Sequence, residues 1–239
     1  NYYRRGGQVV FPLYIYAESS SNGELNLELM KEKRQLNLNT EITQKLAKAL
    51  QLKLLPDHEC KEVGSEGTFT PLDLIDYIYA VLHSPKYRNT YKVFLESNFP
   101  KIPYPTDKDT FFDLVELGAE LRKTHLLENQ LEITTNFPIE HDDIVVNEKS
   151  SKGVKFELHT SDSDIGRVWI NDIQYFDNVS KIAWEFHIGG YQPAQKWLKD
   201  RNEVKLNYED ISHYKNIVAA LVHTNSLMKK IDKVLILTK

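Results

Sequence analysis

Cysteine is nearly absent. Cys60 is the only one in 239 residues, so no internal disulfide can form. That usage fits a reducing compartment and a cytoplasmic location. His58 stands two residues before Cys60, but one cysteine without a second ligand pair does not meet the needs of a zinc site, which leaves a loop thiol. No apolar run is long enough to cross a bilayer, and the first residues, NYYRRGGQVV, lack the apolar stretch and cleavage site of a secretory signal. Positive charge is not in excess: 30 Lys and Arg stand against 34 Asp and Glu, a net charge of -4. A free-standing nucleic-acid binder is usually basic, because phosphate neutralisation supplies much of its affinity. An acidic chain can bind that way only through one basic face or with a neighbouring domain sharing the duplex.

The sequence marks of common catalytic folds are missing as well. There is no phosphate loop of the GxxxxGK(S/T) or GxGxxG type, Gly6-Gly7 and Gly189-Gly190 being too short, and no GxSxG elbow. The acidic clusters His141-Asp142-Asp143 and Asp162-Ser163-Asp164 lack the spacing of a calcium loop and read as solvated turns. Of the eight histidines, His213 and His223 fall on the last helix and read as half-buried, and none is assigned a catalytic role. Internal repeats and low-complexity tracts are absent too. The chain starts at Asn1 and runs directly into the alternation QVVFPLYIY, which suggests a piece of a longer polypeptide.

What is present is the composition of an ordinary globular protein, with 41% apolar and 27% charged residues. Residues 8–16 read as a strand that Pro12 confines to an edge or a bend, and residues 17–38 as a polar loop. Asn39-Thr40 opens a helix to about Gln51 with Ile42, Leu46, Ala49 and Leu50 on one face. Thr70-Pro71-Leu72-Asp73 is the clearest helix start: a capping threonine, a proline at the first position and a carboxylate at the third. Ser84-Pro85 breaks that helix, and KYRNTYKVFLES forms another. The three prolines of FPKIPYP forbid a helix interior there. Asp107 or Asp109 caps a helix through about Leu127, with Phe112, Val115, Ala119 and Leu126 inward. From Leu131 the pattern alternates: LEITTNF, VVNEK, KGVKFELHT, GRVWIN and IAWEFHI read as strands. A last helix from Tyr208 to about Lys233 turns Ile211, Tyr214, Val218, Leu221 and Ile231 to the core. The expectation is an α+β fold. A helical part spans about 40–130, a small, mostly antiparallel sheet or partly open barrel about 130–206, and a long C-terminal helix closes the chain.

Two segments combine cations with aromatic and amide side chains. Around residues 86–108, Lys86, Tyr87, Arg88, Tyr91, Lys92, Lys101 and Tyr104 outnumber the acids. In GGYQPAQKWLKDR, residues 189–201, Pro193 suits the start of a short helix and the glycine pair suits unusual backbone angles before it. Lys196, Lys199 and Arg201 are the type that contacts phosphates, and glutamine can pair bidentately with adenine. Trp197 suits an anchor to the core better than a stacking platform. Both segments are equally well described as solvated, capped helix faces, so the residues alone stop at an α+β domain with two candidate basic surfaces.

Three segments together resemble a known family. RGGQVVFPLYIY (5–16), LDLIDYIYAVLHSPKYRNTYKVFLESNFPKIPYP (72–105) and RVWINDIQYFDNVSKIAWEFHIGGYQPAQKWLKDR (167–201), continued by EDISHYKNIVAAL (209–221), are similar to the C-terminal part of type ISP restriction-modification enzymes and related adenine-specific DNA methyltransferases. The resemblance implies a non-catalytic target-recognition domain that positions double-stranded DNA for an upstream N6-adenine methyltransferase of the same polypeptide. Residues 1–38 would be the junction and 39–239 the recognition domain. S-adenosylmethionine would bind upstream: neither the methyltransferase marker Asn/Asp-Pro-Pro-Tyr/Phe nor a glycine-rich loop for that cofactor occurs here, so no cofactor is expected in this chain. On this reading Lys86, Arg88, Lys92 and Lys101 contact phosphates, and Tyr191, Gln192, Gln195, Lys196, Lys199 and Arg201 meet the duplex. Segments shared across a family that reads different sequences should be scaffold, which puts base readers in the strands and loops of 130–165. The rival expectation is a bracing module that docks on the methyltransferase and touches no base.

Overall fold

In the computed structural model, which describes residues 10–16, 34–56, 67–138, 144–160 and 163–237, polar caps fix where the helices start. α1 (Thr40–Leu50) begins at Asn39, whose Oδ1 accepts the Ile42 N–H at 3.1 Å. α2 (Pro71–His83) opens on a reciprocal box: Thr70 Oγ accepts the Asp73 N–H at 3.1 Å, and Asp73 Oδ2 accepts the Thr70 N–H at 2.8 Å. Pro71 takes the first helical position, where a missing N–H leaves nothing unsatisfied. Ser84 caps α3 (Pro85–Thr90), α4 (Lys92–Leu95) follows directly, and Asp107 caps α5 (Lys108–His125). Each cap of this kind contributes about 1 kcal/mol.

Two short strand pairs accompany this helical half. β1 (Tyr14–Tyr16) pairs antiparallel with β2 (Arg34–Leu36), and β3 (Lys53–Leu54) runs parallel to β4 (Thr68–Phe69). β2 lies in the stretch read as loop. Its partner is some twenty residues away, and its Arg34 guanidinium sits 4.7 Å over the Tyr14 ring, a long-range pairing with no local signature. Pro12 stands just ahead of β1, outside the ladder.

The helices close over a core that includes Leu46, Leu50, Phe69, Tyr77, Ala80, Val81, Phe111, Leu114 and Leu121. On α1 the buried residues are Thr43, Leu46 and Leu50, whereas Ile42 and Ala49 are exposed. On α5 the buried stripe is Phe111, Leu114, Val115, Gly118 and Leu121: Val115 is buried as expected, Phe112 packs only partly against the core, and Leu126 points outward. Gly118 is a member the apolar pattern does not name. A Cβ there would collide with the Asp76 backbone carbonyl, so the α2 and α5 backbones meet where the side chain is smallest. One turn further on, Arg122 bridges the buried Asp76 carboxylate with two bonds of 2.6 and 3.0 Å. The FPKIPYP segment crosses this half as an extended strap, and two core tyrosines hold it: Tyr77 Oη donates to the Pro103 carbonyl and Tyr87 Oη to the Lys101 carbonyl, both at 2.8 Å.

The second half is built on an antiparallel sheet of three strands, β5 (Lys155–Leu158), β6 (Ile165–Trp169) and β7 (Tyr175–Ser180), in that order. It is open, not a closed barrel. LEITTNF contributes only the bridge Asn136 to Asp177, and VVNEK only Val145 to Lys205. IAWEFHI, read as a strand, is instead the helix α6 (Lys181–Glu185). β7 reaches its last partner at Ser180, opposite Ile165, so the chain beyond has no strand to pair with. It turns into a helix that buries Ala183 and Trp184 in succession, which an alternating strand could not do. α7 (Pro193–Lys199) follows.

α8 (Tyr208–Val234) joins the halves. Its 27 residues span about 40 Å. The first part gives Ile211, Tyr214, Val218 and Leu221 to the sheet-side core, with Val168, Phe176, Trp184 and Leu198, and the last part gives Leu227 and Ile231 to the helical core. The architecture is thus the expected α+β one, a helical part followed by a small antiparallel sheet and a long last helix.

Candidate nucleic-acid interface

The segment 189–201 begins with a tight turn. Ile188 and Tyr191 exchange backbone hydrogen bonds at 2.9 and 3.3 Å, and Gly189 supplies the left-handed conformation between them, at φ +57°. Pro193 then starts α7, which buries Ala194 and Leu198. Trp197 is half-buried, its ring 5.3 Å from that of Tyr214, as an anchor should be.

The polar side chains of α7 are engaged within the molecule. Gln192 and Gln195 both donate their amides to the Trp184 carbonyl, at 3.4 and 3.3 Å. Lys196 is 2.6 Å from Asp200 and Lys199 is 4.0 Å from Glu148. Arg201 pairs with Asp210 at 3.3 Å while its guanidinium lies 3.6 Å over the Trp197 ring. Three cations therefore face three carboxylates, and little net field extends from this surface. Tyr191 is half exposed and free to be touched from outside.

The other predicted group sits on α3, α4 and the strap. Lys86 is tied to the end of α8: its Nζ donates to the Leu235 carbonyl at 3.0 Å, and its backbone N–H meets Asp232 at 3.2 Å. Ser84 Oγ donates to the same carboxylate at 2.5 Å, so α3 is fastened to the last turn of α8. Arg88 is exposed, with one long contact of 3.5 Å to the His83 carbonyl. Lys92 is exposed and makes no ion pair among the described residues. Lys101 lies on the strap with its Nζ 5.3 Å from the Phe94 ring, beside a cavity of about 390 Å³ lined by Tyr87, Tyr91, Phe94 and Pro103. Lys86, Arg88 and Lys92 thus share one corner of the helical half, with Lys101 next to them, while the α7 set belongs to the sheet half.

The reading of single segments missed two features. The sheet carries a ring pair, the buried Trp169 and the half-buried Tyr175, directly opposite each other in register with centroids 4.7 Å apart. Lys152 caps the tryptophan at 3.9 Å and Arg167 the tyrosine at 4.7 Å. Beside them burial pushes the Asp177 carboxyl up, but the hydrogen bonds from His159 and the Asn178 N–H, with Arg167 nearby, outweigh it and hold that carboxyl below its ordinary value. The second feature is a cluster at the junction of α2, α5 and α8. His125 accepts or donates through both ring nitrogens, to Tyr79 Oη at 2.7 Å and Thr224 Oγ at 3.0 Å, and its ring lies 5.3 Å from that of His83. Burial and then the neighbouring His83 lower the His125 pKa to about 4. Burial lowers His83 as well, against the hydrogen bond to the Tyr79 carbonyl and with help from Arg88.

Among the described residues no three His, Cys, Asp or Glu side chains gather as a metal site would need. Cys60 with His58, the cluster His141-Asp142-Asp143, and Asp162 lie outside the described residues. Asp164 accepts the Lys181 N–H at 2.8 Å through its backbone carbonyl, as a turn residue does. No helix among the described residues is long and apolar enough to cross a membrane.

Comparison with solved structures finds a similar fold in the ATP-dependent Type ISP restriction-modification enzyme LlaBIII bound to DNA. The TM-score is 0.54 at 15% identity, over 95% of this chain and 14% of that one. A DrdV–DNA complex is similar at a TM-score of 0.51 and 18% identity, over 72% of this chain and 18% of that one. The chain thus spans less than a fifth of either polypeptide, and at these identities the likeness is one of fold. A comparison with curated proteins gives no match. The family model described as the Type ISP C-terminal specificity domain matches residues 1–230, nearly the whole sequence, and the chain belongs to that family.

Proposed function

We propose that this chain is a sequence-specific recognition domain for duplex DNA and carries no catalytic group of its own. On this reading it positions an adenine for N6 methylation, and the site for restriction, by upstream domains of one bacterial, cytoplasmic polypeptide. The observation that carries the reading is the match of residues 1–230 to a family of specificity domains. The DNA-bound state of the two solved structures that share the fold supports it. Residues 1–38 form the junction to the methyltransferase domain, and 39–239 do the recognising. S-adenosylmethionine belongs to that upstream domain.

Its mechanism is a division of labour. An enzyme that modifies adenine in a duplex must first extrude the base from the stack. The specificity domain holds the surrounding duplex so that one adenine, and not its neighbours, is presented. Phosphate contacts set the register, and base-edge contacts, each worth roughly 1–3 kcal/mol, set the sequence. Lys86, Arg88, Lys92 and Lys101 take phosphates. Tyr191, Gln192, Gln195, Lys196, Lys199 and Arg201 approach the duplex, the cations by exchanging an internal carboxylate for a phosphate. The base readers lie in the strands and loops of 130–165.

A selection from a randomised duplex pool tests this. The chain should enrich one common sequence, with retention that weakens as salt rises. A pool that leaves the selection unenriched, with no duplex retained at low salt, would overturn it. One observation favours the bracing reading for part of the molecule: Gln192, Gln195, Lys196, Lys199 and Arg201, on α7 and at its ends, are all engaged internally, as scaffold side chains would be.

A further inference from the structure

We infer that the C-terminal end of α8 belongs to the DNA-contacting surface: Lys229, Lys230 and Lys233 join Lys86 and Arg88 in gripping the phosphate backbone of one duplex. This rests on the proposed role in DNA recognition and adds residues from a helix whose sequence reads only as core. Three observations carry it. First, residues 84–92 and 226–235 hold six Lys and Arg against a single carboxylate, Asp232, in a chain whose net charge is -4. Second, the two segments are one surface, because Ser84 and Lys86 of the α3 start are bonded to Asp232 and to the Leu235 carbonyl of α8. Third, the charges are unspent. Lys229, Lys230 and Lys233 are all exposed and make no ion pair among the described residues. The one acid nearby is turned toward α3, where its oxygens accept from Ser84 Oγ and the Lys86 N–H.

Helix geometry puts the three lysines on one side. Positions 229 and 233 are four apart and 230 and 233 three apart, neighbours on an α-helix surface. Lys86 keeps two further N–H donors after its bond to Leu235. At moderate salt, charges act over about 10 Å, so a duplex touching this corner meets its local positive field and not the negative total. The competing account is that cations near a helix C-terminus merely offset its dipole, which would appear as stability alone.

The experiment measures affinity of the whole chain for a labelled mixed-sequence duplex from 50 to 200 mM salt. It compares the wild type with Lys229→Ala/Lys230→Ala/Lys233→Ala and with Lys45→Ala/Lys48→Ala/Lys53→Ala, a control that removes equal charge from exposed positions of α1 and β3. Each phosphate contact adds about 0.9 to the slope of log affinity against log salt, so three contacts account for a roughly 40-fold loss over that range. The α8 variant should lose that part of the slope, the control should keep it, and a Lys→Arg triple variant at the α8 positions should restore it. Equal slopes in the α8 variant and the control overturn the inference, as does an α8 variant that melts earlier yet binds with an unchanged slope. A wild type that retains no duplex at 50 mM removes the proposed function itself, a distinct result. Should the alanine variant misfold by circular dichroism, the Lys→Gln triple variant gives the same reading of the slope.

Discussion

On α7, Lys196, Lys199 and Arg201 each sit against a carboxylate of the same chain, while at the α3–α8 corner Arg88, Lys92, Lys229, Lys230 and Lys233 reach solvent without an ionic partner among the described residues. The corner holds five such cations against three at α7, and its charges are not offset by neighbouring carboxylates as those of α7 are. What separates them is which acids the fold brings close. Glu148 comes to α7 from a loop some fifty residues away, whereas the corner's Asp232 is drawn inward by Ser84. A polyanion has to displace partners at α7 and finds none to displace at the corner.

That comparison can be broken by removing what each region rests on. The largest effect belongs to Asp76→Ala, which strands Arg122 at the α2–α5 contact of the helical half. Breaking a largely buried pair from one side should cost about 3–5 kcal/mol in urea unfolding. Leu198→Ala empties a fully buried site beneath α7 and should cost about 2–4 kcal/mol in the same assay. Ser84→Ala removes the cap of α3 and its bond to α8, a loss of about 1–2 kcal/mol, and should weaken duplex binding through the corner while the effect of α7 variants stays as before.

Acid should act on the helical half, and more gently. The folded state disfavours the charged His125 and His83 rings, so their contribution to stability is complete above the unfolded value near 6.5 and is lost as pH falls below it, for His125 through about 4. Urea midpoints measured across that window should decline, and His125→Gln should flatten part of the decline. The smallest effect is expected at Lys196→Ala. Its exposed pair with Asp200 should change stability by less than about 0.5 kcal/mol. If α7 does hold phosphates, Lys196→Ala with Lys199→Ala should still weaken binding to every duplex alike.

The parts of this fold written in local chemistry were legible beforehand. Thr70-Pro71-Asp73, Asn39 and Pro193 start helices where their side chains and ring geometry require it, and the 211/214/218/221/231 stripe of α8 is core throughout. The strap was legible only as a place where helix is forbidden; that Tyr77 and Tyr87 hold its carbonyls needs contacts across 26 and 14 residues. On α5 Val115 was legible but Gly118 was not, because a hydropathy pattern gives glycine no weight where two backbones meet. IAWEFHI looked like a strand since its composition suits one, but strand formation depends on a partner, and β6 ends first. The candidate site suffered most. Composition names side chains able to reach DNA, but it does not show that Glu148, Asp210 and the Trp184 carbonyl already hold those of α7. Nor does it reveal that the last lysines of a core helix stand beside Lys86.

α8 touches both cores along about 40 Å of continuous helix, and that makes it a lever. With its far end resting on the duplex, a tilt of about 5° would carry its other end through about 3.5 Å, the rise of one base pair. On the proposed function, with base readers in the sheet half, a slip in the grip would be read there as the neighbouring letter. The stiffness of this one rod would govern how faithfully an address is kept.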